Sequence, residues 1–135
     1  MIHVIMGLKG SGKTKKLIDS VNATAATAAG VVVCIEYGNK LTYDVKSSVR
    51  LVNSKEYGIS NSCMLKGLLS GLHAGNYDIT HVYIDNLYKT IGNDRAVGEE
   101  FILWCAEFAK ANNMEITVTI SDDPNNASET LKSYL

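Results

Sequence analysis

Eight consecutive residues, Gly7-Leu8-Lys9-Gly10-Ser11-Gly12-Lys13-Thr14, are the part of this chain best equipped for chemistry. They follow a short apolar run, Ile2 to Met6, and precede Leu17, Ile18, Val21 and Ala25 at helical spacing. They therefore read as the turn between a strand and a helix. Glycines let successive backbone N–H groups, from Lys9 through Thr14, converge on one point that side chains would crowd. The helix start adds unpaired N–H groups and partial positive charge. Lys13 supplies a mobile cation and Thr14 a hydroxyl suited to a hard metal ion such as Mg²⁺. The spacing is G-x-x-x-x-G-K-[ST] at every fixed position, so the chemistry it predicts is the cradling of a phosphate chain.

The bulk composition bounds what surrounds that loop. A chain of 135 residues, 46% hydrophobic, is long enough for one core, so residues 1–135 are expected to form a single domain. With 13 basic and 14 acidic residues the net charge is −1, which excludes a global field for nucleic acid or an acidic membrane. Any anion site must be local. Cys34, Cys63 and Cys105 match no zinc or redox spacing and read as buried free thiols of a reducing compartment. No leader pattern opens the chain, and the run Ala23 to Ile35 is too short to span a bilayer, so a cytoplasmic protein is expected.

The positioning elements follow from periodicity. Strands are predicted at Ile2–Met6, Val31–Glu36, His81–Asp85 and Glu115–Ile120, with a short edge strand within Ser48–Ser54. Helices are predicted from Gly12 or Lys13 to Gly30, over Asn61–Ala74 and over Val97–Ala111, with a short terminal helix opened by Asp123 and Pro124. Alternation of this kind implies an α/β three-layer sandwich with a mostly parallel sheet. Ligands gather at the carboxyl ends of such strands, where Gly7, Asp85 and Ser121 all fall.

The glycine-lysine loop resembles the Walker A motif of the P-loop NTPase superfamily, which implies that fold, bound ATP or ADP, and Mg²⁺. It also implies a Walker B strand ending in a metal-side Asp. Val82 to Asn86, VYIDN, looks like it, with Thr14 and Asp85 as the metal pair. Capping of the next turn is the alternative role for Asp85. Many P-loop ATPases carry a Glu after that Asp; here Asn86 stands there and cannot act as a base. In the RecA-like branch the carboxylate can come from the second strand, which makes Glu36 the candidate catalytic residue beside Lys13. A strand-end Glu with no such role is the alternative. Ser121 and Asp122 end the strand that RecA-like order places next to the loop strand; phosphate contact and helix capping are both open to them. Arg95, on a polar loop, is either an arginine finger or a solvated charge. Gly38 to Lys40 suggests the guanine-reading N-K-x-D motif, but Thr42 replaces its Asp. His3, His73 and His81 share no metal spacing and read as structural.

Over nearly its whole length the chain resembles a set of small P-loop proteins of Gram-positive bacteria, through MIHVIMGLKGSGKT, VVCIEYGNKLTYD and AGNYDITHVYID. Some of those bear a label borrowed from the twitching-motility ATPases, whose acidic and histidine boxes have no equivalent here. Thymidine kinases of the short type resemble the chain only in strand, P-loop, helix and strand; their Asp-Glu pair and four-cysteine zinc site are missing. Three functions stay open: a weak or partner-stimulated ATPase, a small nucleoside-kinase-like phosphotransferase, and a nucleotide-dependent binding module that hydrolyses little. A homo-oligomer or a protein partner is compatible with each.

Overall fold

Alternating side chains on the central strands feed two separate cores. Val33 and Ile35 join one, while Val32 and Cys34, one residue away on the same strand, join the other. A strand apolar on both faces must be covered on both, and that demand sets the layers.

The computed structural model describes residues 1–135. In chain order the elements are β1 (Ile2–Gly7), α1 (Lys13–Thr27), β2 (Val31–Glu36), β3 (Arg50–Asn53), α2 (Ser62–Gly75), β4 (Ile79–Ile84), α3 (Leu87–Ile91), α4 (Arg95–Ala111), β5 (Glu115–Ser121) and α5 (Glu129–Lys132). A single 3₁₀ turn at Pro124–Asn126 precedes α5, capped by the Asp123 side chain. All strands pair in parallel in one sheet, in the order β1-β5-β4-β2-β3. Helix α1 covers one face through Leu17 and Val21; α2 and α4 cover the other through Leu65, Leu69, Phe101, Ile102 and Cys105. The protein is an α/β sandwich of three layers. No helix is long and apolar enough to cross a membrane.

Local chemistry moves several predicted boundaries. Helix α1 stops at Thr27, short of Gly30, because Ala28 turns extended and its N–H closes on Thr24 O at 2.8 Å. Helix α4 starts at Arg95, two residues before the predicted Val97, because the Asp94 carboxylate accepts from the N–H groups of Ala96 and Val97. Arg95 therefore opens a helix and does not sit in a loop. Helix α3 was not predicted at all. Cys34 and Cys105 are buried as expected, but Cys63 is exposed: it lies in the first turn of α2, whose buried face is Leu65 and Leu69.

Candidate functional site

The loop from Gly7 to Thr14 joins β1 to α1, and its glycines are required by two different constraints. Gly10 and Gly12 have φ of 85° and 89°, the left-handed region that other residues occupy only at a cost, and Gly12 is the N-cap of α1. Gly7 has an ordinary backbone, but a Cβ there would run into the Ser11 hydroxyl. Ser11 in turn folds back through its N–H to Leu8 O at 3.0 Å. Lys13 is only 9% exposed, and its ammonium makes one hydrogen bond, to Leu8 O at 3.2 Å. An ammonium has three donors, so two remain for a ligand.

Beside this loop lies a cleft of about 670 Å³ at the carboxyl ends of the strands. The loop contributes Lys9, Gly10, Gly12, Lys13 and Thr14; Glu36, Asp85 and Asn86 come from the ends of β2 and β4. Gly7 and Ser11 shape the loop from behind and do not line the cleft. Lys15 is paired with Asp19, so Lys9, Lys13, Lys40 and Lys89 face the two carboxylates of Glu36 and Asp85, which leaves an excess of two positive charges in a chain of net charge −1. That local excess suits a polyanion.

Sheet register aligns the acidic wall. Val118 pairs with Ile84, and Ile84 with Ile35, so Thr119, Asp85 and Glu36 stand side by side one step further on. The Thr119 hydroxyl donates to Asp85 Oδ1 at 2.8 Å and accepts from the Asn86 N–H at 2.7 Å. It thereby orients Asp85 and holds Asn86 in the left-handed conformation, φ 53°, that starts α3. Asn86 Oδ1 accepts from Ser121 Oγ at 3.3 Å. Both oxygens of Glu36 are engaged, Oε1 with the Lys40 N–H at 2.8 Å and Oε2 with the Leu41 N–H at 3.1 Å. Glu36 thus anchors the loop after β2. Beneath this row, the Cys34 thiol is pushed up to about 12 by burial first, then by the charges of Asp85 and Glu36.

Arg95 and Asp122 are drawn elsewhere. The guanidinium donates to Asp122 through Nε at 2.6 Å and Nη2 at 3.0 Å, in a depression beyond Ser121 that also contains Tyr88 and Asn93. The Arg95 hydrogen bond holds the Asp122 carboxyl at about 2, below the usual carboxylate range. Neither residue lines the main cleft, and none of the three histidines does.

Motif reasoning misses Thr119, Tyr37, Leu41, Lys15 and Lys89 as cleft residues and meets Lys40 only in the guanine-motif comparison. For Thr119 a signal exists: Glu115, Thr117, Thr119 and Ser121 alternate with Ile116, Val118 and Ile120, a polar face on a strand whose place in a parallel sheet calls for cover on both sides. Lys89 carries none, since an isolated lysine is ordinary.

The fold and cleft define an α/β sandwich with a cationic pocket at its strand ends. No protein-family model matches the chain, and no curated protein matches it significantly.

Proposed function

We propose that this chain is a P-loop nucleotide-binding protein with a RecA-like core, which holds Mg·ATP and hydrolyses it weakly or when stimulated by a partner. The observation that carries the reading is Lys13, buried at the mouth of a glycine-built loop with two free donors, across a cleft from Asp85. In this reading backbone N–H groups of Lys9, Gly10, Gly12, Lys13 and Thr14 receive the phosphates, that of Ser11 being engaged with Leu8 O, and Lys13 neutralises their charge. The position of β5 between β1 and β4 supports the RecA-like form.

The donor set fits Mg²⁺. It consists of hard oxygens, the exposed Thr14 hydroxyl and the Asp85 carboxylate, of which only Oδ1 is taken by Thr119. Thr14 and Asp85 would hold the ion, which supplies charge neutralisation to the phosphates.

A second reading, a nucleotide-gated binding module with little turnover, is favoured by two observations. Glu36 already accepts two backbone N–H groups, and Asn86 offers no base. Release of ADP and phosphate from Mg·ATP, measured beside Lys13→Ala, separates the two. Release that the variant loses supports the ATPase; bound nucleotide without release supports the module. Absence of nucleotide binding refutes both.

A further inference from the structure

Tyr37 and Lys89 belong to two hollows at once. They line the main cleft, and they also form a wall of a second cavity of about 320 Å³ whose other sides include Gly58, Ile59, Ser60 and Tyr88. A third residue of that wall is Lys55. The ammonium groups of Lys55 and Lys89 lie 5.8 and 5.7 Å from the centroid of the same Tyr37 ring. They arrive from separate segments, Lys55 from the turn after β3 and Lys89 from α3.

Neither ammonium has a carboxylate partner. The ion pairs of this protein employ Lys15, Lys66, Lys132, Arg95 and His3. Each ammonium gains some attraction from the ring face and otherwise stands uncompensated. A dianion in the cavity that both residues line would be attracted by each.

We propose that Lys55, Lys89 and Tyr37 form a second anion site, which takes the phosphate of a small phosphomonoester next to the main cleft. The dianionic phosphate matches two ammonium groups, each a compact point charge. The half-buried Ile59 and the Tyr37 ring offer apolar surface to the carbon skeleton. Ser60 Oγ is engaged only with Met64 Sδ at 3.6 Å, a weak acceptor, and so can turn to the ligand. At about 320 Å³ the cavity matches a small phosphomonoester in size. This site goes beyond the nucleotide reading and does not require it.

The test is titration of ¹⁵N-labelled protein with ribose 5-phosphate, with ribose as the unphosphorylated control and constant ionic strength. Shifts at Gly58, Ser60, Lys89 and Gly92 are expected, absent with ribose, and preserved in Lys13→Ala. In the double variant Lys55→Gln/Lys89→Gln, both residues being exposed, the fold should persist and the affinity fall at least about tenfold. Shifts confined to Gly7–Thr14 and lost in Lys13→Ala would overturn the second site, as would no shift or a double variant that binds like the wild type. Failure of the nucleotide reading shows separately, as absent Mg·ATP shifts at Gly10 and Gly12.

Discussion

Thr119→Val tests whether one hydroxyl organises the acidic wall. Thr119 is fully buried, and valine replaces its shape while deleting the oxygen that serves Asp85 at 2.8 Å and the Asn86 N–H at 2.7 Å. An N–H left unsatisfied costs about 1–3 kcal/mol, and a hydrogen bond to a charged group is worth about 1.5–3 kcal/mol. Asp85 is half-buried on the cleft wall and can recover some water, so the lower end applies to it. The expected loss is about 3 kcal/mol. Thr119→Ser keeps the oxygen and loses a methyl group, for about 1 kcal/mol. Urea unfolding followed by circular dichroism measures both, with an unchanged m-value as the sign that only stability moved. A valine variant within about 0.5 kcal/mol of the serine variant would refute the two-bond role.

Three further outcomes follow from the geometry. Asp122 is lowered from the ordinary 3.8 to about 2, so its contribution is complete above pH 3.8 and disappears as pH falls towards 2. Acid titrations of stability for wild type and Asp122→Asn should therefore differ above pH 3.8 and converge near pH 2; parallel curves would contradict this. A disulfide reagent should label Cys63 alone in the native protein and all three thiols after denaturation, because Cys34 and Cys105 are buried and burial pushes both thiols up. Native labelling of either buried thiol would contradict it. Glu36→Gln places an amide donor where one backbone N–H now finds an oxygen, so amide exchange at Lys40 or Leu41 should accelerate about tenfold. If the same variant releases phosphate at the wild-type rate, Glu36 is a loop anchor and not the base.

Periodic features were legible in the sequence, and features made by tertiary hydrogen bonds were not. Leu65, Leu68, Leu69 and Leu72 announce α2; of Asn61 and Ser62, both suited to cap it, Asn61 does so by accepting from the Met64 N–H. The edge position of β3 and the pairing of β5 with β1 also agree with expectation. Helix α3 has five residues, too few for a period, and its start depends on Asn86 bonding to Thr119 from a strand 33 residues away. The same distance hid what Thr119 bonds to, although its polar face was readable. Arg95 looked free because its partner, Asp122, comes from the end of β5, 27 residues on. The glycine loop was legible because its constraints are local: two positive φ angles and one close approach within six residues, Gly7 to Gly12.

Calorimetric titration of Mg·ATP into wild-type protein and Lys13→Ala bears most directly on nucleotide binding. Saturable binding to the wild type, weakened at least about tenfold by loss of the buried ammonium, is the predicted result. No binding to the wild type, or equal affinity in the two proteins, would contradict the assignment of the Gly7–Thr14 loop to phosphate.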